Sequence, residues 1–382
     1  MRRVIFTDDH DAFRRLVRDF IAKEIVPHYD RWEKAGQMPR AVFEHLGTLG
    51  ILGMAVPEEH GGAGLRDYRY NVVLQEEAAR ALVTLSTVRT QLDVILPYFL
   101  TYADAEQRRR WFPGLVSGEL LTAIAMTEPG TGSDLAGIRT TAVRDGDHYV
   151  LDGAKTFITG GLLADLVIVV ARTSTDPDNR RGGLTLLVIE AGMPGFTRGR
   201  VLDKMGMKVQ DTLELSFDNV RVPVANRLGD EGAAFGYLGH NLSQERMTVA
   251  VGSVAQARAA LDTTIAYVKE REAFGATVAS FQNTKFELAA VATEIEAAQA
   301  MVDRAVLELI EGELSGPDAA KVKLFCTEVQ ARAVDRCLQL FGGYGYMSEY
   351  PIARMYTDAR VARIYAGTSE VMKVIIAKSL GL

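Results

Sequence analysis

The chain of 382 residues is 48% hydrophobic and 24% charged, ordinary proportions for a soluble globular protein. Those values exclude disordered, collagen-like and coiled-coil readings, and the length predicts about two to three domains. With 43 Lys and Arg against 49 Asp and Glu the net charge is −6. The basic excess of a duplex nucleic-acid binder is missing, so a small-molecule partner is the better expectation.

From about Asp8 to Phe112 the periodicity is helical. Phe13, Leu16, Val17, Phe20 and Ile21 recur at spacings of three and four, an amphipathic stripe. Asp30 to Pro39 reads as a break, Leu46 to Val56 is apolar, and Pro57–Gly64 is a glycine-rich loop. A second helical region is expected from about Asp67 to Tyr102. Near Leu120 the pattern changes to short apolar runs: Leu121–Met126, His148–Leu151, Leu166–Ala171, Leu184–Glu190 and Leu213–Phe217. Asp145-Gly146 and Asp152-Gly153 are turn signals between them, and the runs predict an antiparallel β domain ending near Val222-Pro223. After Gly229 the helical period returns. Val254–Tyr267 and Phe286–Ile310 carry long apolar stripes, and Gly312–Pro317 interrupts them. The expectation is an α+β chain: an N-terminal helical domain over 1–119, a middle antiparallel β domain over 120–228, and a C-terminal helical bundle over 229–382.

The two cysteines, Cys326 and Cys337, lie about 16 Å apart if they share a helix. That is too far for a disulfide and fits a reducing compartment. Six scattered histidines lack metal-ligand spacing. The N-terminus has no long apolar stretch of the signal-peptide kind, and no run approaches the ~20 apolar residues of a membrane span. A cytoplasmic, bacterial protein is expected.

Four motifs carry candidate chemistry. Met126-Thr-Glu-Pro-Gly-Thr-Gly-Ser-Asp134 follows an expected strand, where glycines let backbone amides approach a ligand and Thr127 and Ser133 offer hydroxyls. Its plain alternative is a turn. Gln339-Leu-Phe-Gly-Gly-Tyr-Gly-Tyr346 fails as a dinucleotide fingerprint, because a helical pattern precedes it and Ser348 occupies the third glycine position. A helix C-cap is its alternative. Asn241-Leu-Ser-Gln-Glu-Arg246 opens a long helix. There Glu245 is either a general base or an acid in the first turn favoured by the helix dipole. Ile364-Tyr-Ala-Gly-Thr-Ser-Glu370 reads as a loop-to-helix junction capped by Thr368 or Ser369, with Gly367 permitting close approach.

Taken in order, these motifs resemble the acyl-CoA dehydrogenase family of flavoproteins. Pro57–Gly64, Arg271-Glu-Ala-Phe-Gly275, Phe281-Gln282 and Gln339–Gly343 join the resemblance, which spans essentially the whole chain. It implies bound FAD and oxidation of an acyl-CoA to the trans-2-enoyl-CoA. Electrons would pass to an electron-transfer flavoprotein, and the assembly would be a homotetramer built as a dimer of dimers. It also implies that Thr127, Ser133, Phe157 and Thr159 lie at the flavin and its ribityl-phosphate arm. Arg271, Phe274, Gln282, Gln339, Leu340, Phe341, Gly342 and Gly343 would contact the adenine half across a subunit interface, and Thr368, Ser369 and Glu370 would complete the site. Ser133, Ser243, Gln244, Arg246 and Gly367 would meet the acyl-CoA.

Two positions depart from the family pattern. Many members carry their catalytic base where this chain has Ala366, which keeps only its backbone N–H. Glu245 looks like the relocated base of the long-chain members, and the stretch Phe341–Pro351 also resembles them. The alternatives are a catalytically silent FAD- and acyl-CoA-binding subunit, or an oxidase or flavin hydroxylase on the same fold. Phe157 stands where most relatives have tryptophan. The pocket base is expected from Thr84–Pro97, with Arg89 and Asp93 read as surface residues rather than ligands of a polar acyl tail.

Overall fold

The computed structural model describes residues 2–176 and 178–382. Helix α1 (Asp8–Phe20) buries Val17 and Phe20 and leaves Leu16 exposed. It runs into a wider helical turn at Ile21–Ile25. Helix α2 (Tyr29–Ala35) occupies most of the segment expected as a break, because Tyr29 and Trp32 share a buried face. Gly36, at φ +73°, ends it with the left-handed conformation that glycine adopts at low cost. α3 (Arg40–Thr48) and α4 (Arg69–Arg80) follow. The second helical region is not continuous: residues 81–85 interrupt it before α5 (Ser86–Arg89). A π-helical stretch, Thr90–Ile95, then leads into α6 (Leu96–Tyr102) and α7 (Ala105–Ser117).

The middle of the chain forms an eight-stranded sheet. Its strands are β1 (Thr122–Ala125), β2 (Thr141–Asp145), β3 (His148–Thr159), β4 (Leu166–Arg172), β5 (Leu184–Glu190), β6 (Phe196–Val201), β7 (Thr212–Pro223) and β8 (Arg227–Leu228). The order is β6-β7-β3-β2-β4-β5-β8, with β1 beside β4. Pairing is mostly antiparallel; β1 runs parallel to β4, and β2 touches β4 through one parallel pair. The unbroken apolar run of β4 has a direct cause. Leu166, Ile168 and Val170 join the core beneath the N-terminal helices, while Val167, Val169 and Ala171 join the core within the sheet. Both faces of the strand are covered, so alternation is lost.

The C-terminal part is built on α8 (Ala234–Glu270), 37 residues and about 55 Å long. A short hairpin, β9 (Glu272–Ala273) and β10 (Ala276–Thr277), leads to α9 (Gln282–Ile310) and α10 (Gly316–Leu340). α11 (Pro351–Ala359) and α12 (Ser369–Ser379) close the chain. Cys326 and Cys337 both lie on α10, buried and unpaired. Val72 and Ala79 of α4 belong to the bundle core, whereas Leu74 and Ala78 belong to the N-terminal core. α4 therefore joins the two helical parts at the site described next. Among the described residues no helix is long and apolar enough to cross a membrane.

Candidate active site

Glu245 lies eleven residues beyond Ala234, the start of α8. That is three turns inside the helix, so the helix-dipole explanation for an acid there does not apply. The residue is 6% exposed. Burial pushes its carboxyl up to about 7, while a hydrogen bond from Tyr98 and the charge of Arg246 hold it back. The Tyr98 hydroxyl donates to Glu245 Oε1 at 3.1 Å. Arg246 is equally buried, and its Nε has no partner.

Below Glu245 the same face of α8 continues as Val249, Gly252, Ser253 and Gln256, at spacings of three and four. These four residues line a cavity. Its opposite wall is one face of α4: Asn71, Leu74, Gln75 and Ala78. α5 and the π-helical stretch supply Ser86, Val88, Arg89, Leu92 and Asp93, and Tyr365 lines it as well. The expected pocket-base segment is thus in place, but Arg89 and Asp93 are not surface residues. Asp93 is 2% exposed, and both residues line the cavity. The wider π-helical turn falls where α4, α6 and α8 converge. There Asp93 ties α4 to α8, accepting from Asn71, Thr248, Gln75 at 3.2 Å and Tyr68 at 3.4 Å. Gln244 donates to the Asp93 carbonyl at 3.0 Å.

The Tyr365–Glu370 loop borders the same region. Ala366 sits at φ +51°, a conformation strained for any residue with a Cβ, and Gly367 follows at +91°. No backbone carbonyl among the described residues accepts from the Ala366 N–H. Fully buried Lys323 holds this loop, donating to the Gly367 carbonyl at 2.7 Å. Burial and, next, nearby Arg246 lower its ammonium to about 8, which ties the loop to the Glu245–Arg246 turn of α8. Thr368 caps α12, accepting from Val371 N at 3.3 Å. Ser369 is engaged with Glu328 at 2.9 Å, and Glu370 is exposed. Ser243 Oγ lies beside Gly316 at the start of α10.

The Thr127–Asp134 loop is held from beneath by a buried ion pair. Lys155 Nζ donates to Glu128 Oε1 and to the Met126 carbonyl, both at 2.9 Å. The Arg139 and Thr140 amides donate to the same Glu128 carboxylate at 2.8 Å. Thr127 is half-buried, and the tip with Ser133 is left exposed. A bulge in β3 next to Lys155 puts Phe157 at φ +59° and leaves its ring 66% exposed. Thr159 accepts from Gln210 Nε2 at 3.1 Å, and Gln210 Oε1 is buried without a partner.

The third group lies at the far end of the bundle. Arg271, Leu340, Phe341, Gly342 and Gly343 line one hollow with Tyr267 and Tyr344. Phe341 is buried against Tyr267, ring centroids 4.0 Å apart, and Arg271 lies over the Tyr344 ring at 5.3 Å. Gln282 and Gln339 are exposed nearby on α9 and α10. Phe274, at the hairpin tip, is 99% exposed. A cationic guanidinium, open glycine backbone and bare aromatic surface suit a nucleotide better than water. Beside Phe157, the orphaned Gln210 acceptor and the exposed hydroxyl-bearing loop likewise fit the polar edge and phosphate arm of FAD.

Sequence reasoning missed Tyr98, Lys323, Lys155, Glu128 and Gln210. Only Glu128 lay within a quoted motif; the rest lie outside every motif that the sequence offered.

Three family models match the chain: "Acyl-CoA dehydrogenase, N-terminal domain" over residues 7–119, the middle domain over 123–220 and the C-terminal domain over 233–381. The mouse long-chain specific acyl-CoA dehydrogenase, mitochondrial, is 44% identical over 99% of this chain and 88% of its own length. The crystal structure of an acyl-CoA dehydrogenase from Geobacillus kaustophilus superimposes with a TM-score of 0.97, at 45% identity and with 100% of both chains covered. A glutaryl-CoA dehydrogenase from Mycobacterium smegmatis in complex with FADH2 gives 0.89 at 28% identity, covering 98% of this chain and 95% of that one. This chain belongs to the acyl-CoA dehydrogenase family.

Proposed function

We propose that this chain oxidises an acyl-CoA thioester to the trans-2-enoyl-CoA with Glu245 as the base. The observation that carries the reading is the pairing of a buried, raised-pKa Glu245 with an alanine at position 366. The α-proton of a thioester is weakly acidic, and a desolvated carboxylate with a pKa near 7 is a better base than one in water. The Ala366 N–H, free of backbone partners, donates to the thioester oxygen and stabilises the charge that develops there. Lys323 fixes that N–H through the Gly367 carbonyl. Arg246, buried with its Nε unsatisfied, faces an anionic ligand group and keeps Glu245 ionisable. FAD, the cofactor of this family, supplies the acceptor for the β-hydrogen when bound.

Thr127, Ser133 and Thr159 hold the flavin side of the cofactor, with Gln210 Oε1 as a further acceptor. Arg271, Phe274, Gln282 and the Gln339–Gly343 segment serve the adenine half of a neighbouring subunit's cofactor in a homotetramer. The exposed Phe157 face receives the electron-transfer flavoprotein. Ser133, Ser243, Gln244 and Gly367 meet the acyl-CoA together with Arg246.

The test is anaerobic addition of acyl-CoA to the Glu245→Gln holoprotein. The variant is expected to retain yellow FAD and to bind the thioester, and the flavin is expected to stay oxidised. Bleaching at the wild-type rate overturns the assignment.

A further inference from the structure

The cavity beneath Glu245 is more polar than a hydrocarbon tail requires. The Asp93 carboxylate is already occupied by four donors. Other groups are not occupied. Ser86, Ser253 and Gln330 line the cavity and are each 2% exposed, and Ser86 Oγ, Ser253 Oγ and Gln330 Oε1 are buried without a hydrogen-bond partner. Arg89 has one side-chain hydrogen bond, to the Tyr365 hydroxyl at 3.4 Å, and its guanidinium lies against that ring at 5.6 Å. Among the described residues no carboxylate stands within ion-pair distance of it. Burial opposes its charge, while Tyr365 and Asp93 support it.

A plain alkyl chain packed here leaves three buried polar atoms unsatisfied and removes water from a cation. Buried polar groups do not persist in that state without a partner. A carboxylate on the chain meets Arg89 but also faces Asp93 and Asp358, both on the cavity lining. A neutral oxygen suits donors and acceptors together. A hydroxyl accepts from Arg89 or a serine and donates to Gln330 Oε1. Ser253 lies eight residues beyond Glu245 on one helix face, about 12 Å along the axis. The oxygen therefore sits well out along the chain and away from the carbons that react.

We propose that the acyl group taken by this cavity carries a hydroxyl, met by Arg89, Ser86, Ser253 and Gln330. This rests on the acyl-CoA reading above and names its substrate class.

The probes are octanoyl-, decanoyl- and dodecanoyl-CoA, their terminally hydroxylated counterparts and the corresponding terminal carboxylates. Calorimetric titration of the FAD-loaded Glu245→Gln protein measures binding without turnover. At one or more chain lengths the hydroxylated thioester is expected to bind at least about tenfold more tightly than the plain one, because a site built for a hydroxyl rejects the analogue lacking it. In Ser253→Ala or Arg89→Met, added to the same protein, the preference is expected to fall to about threefold or less. If Arg89→Met does not fold, Ser253→Ala carries the comparison. Plain chains binding as tightly at every length, or carboxylates binding tightest, overturn the proposal. Anaerobic bleaching of the wild-type flavin is read separately. Failure with every thioester overturns the dehydrogenase reading, and the titration still decides the cavity.

Discussion

The Tyr98 hydroxyl donates to Glu245 Oε1 across 3.1 Å, joining two buried residues 147 positions apart in the chain. The contact sets the base's orientation and its proton affinity together. Burial alone drives the carboxyl upward, and the Tyr98 bond works in the opposite direction by favouring the ionised form. The base must be ionised to act, so flavin reduction is expected to accelerate as pH rises through about 7. Tyr98→Phe removes the stabilising donor, and the limb is expected to move to higher pH. A hydrogen bond to a charged group is worth roughly 1.5–3 kcal/mol, which corresponds to about 1–2 pH units. Stopped-flow flavin reduction across pH measures this. A limb that stays in place in Tyr98→Phe contradicts the role given to the tyrosine.

The same raised pKa has a stability consequence. A carboxyl whose folded pKa lies above its unfolded value binds its proton more tightly when folded. Its contribution is fully present below the ordinary glutamate value of about 4.5 and is lost as pH rises through about 7. Above that range the protein holds a buried charge at a cost on the order of 3 kcal/mol. Glu245→Gln carries no charge at any pH and keeps an oxygen for Tyr98. Its thermal midpoint relative to wild type is expected to be higher at pH 8 than at pH 5. Equal differences at the two pH values argue against a strongly desolvated base.

Much of this arrangement was legible in the sequence because period and turn chemistry are local. The stripe from Phe13 to Ile21, the apolar runs of β4 and β5, and the Gly312–Pro317 interruption all follow from neighbours a few residues away. The break expected over 30–39 failed because Trp32 is buried by tertiary packing, which a polar-rich local window conceals. Arg89 and Asp93 were misread for a related reason. Charged residues are seldom buried, and the partners that hold Asp93 come from Asn71, Gln75 and, 155 positions away, Thr248. Tyr98 and Lys323 act only through residues distant in the chain, so no spacing could reveal them.

The Lys155–Glu128 pair gives a prediction about the flavin loop. Burial lowers the Lys155 ammonium to about 8 against the opposing pull of Glu128, and both side chains are almost wholly hidden. Removing one partner of such a pair leaves the other charge stranded, at roughly 3–5 kcal/mol. Lys155→Met is therefore expected to lower thermal stability by that order and to loosen Thr127–Asp134, with FAD lost on gel filtration. Adding Glu128→Gln is expected to recover part of the stability, because no charge is then left unpaired. Unchanged FAD retention in Lys155→Met shows that the loop does not depend on the pair.

Position 366 offers a test of how the base moved. Ala366 already carries a Cβ at φ +51°, so glutamate there adds no new kind of backbone strain. Its N–H is unchanged by the substitution, and Lys323 still holds the neighbouring carbonyl. In the wild-type background a second carboxylate serving the same α-carbon as Glu245 is expected to raise the cost of ionising either one. The single variant Ala366→Glu is expected to be slower than wild type, with its pH limb shifted upward. In the Glu245→Gln background that repulsion is absent, and the new carboxylate stands alone next to the N–H that donates to the thioester oxygen. Glu245→Gln/Ala366→Glu is expected to regain flavin bleaching at least tenfold above Glu245→Gln, measured anaerobically with the same acyl-CoA. If the double variant binds FAD and thioester yet stays as inert as the single Glu245→Gln, the loop does not approach the α-carbon, and the role given to the Ala366 N–H falls with it.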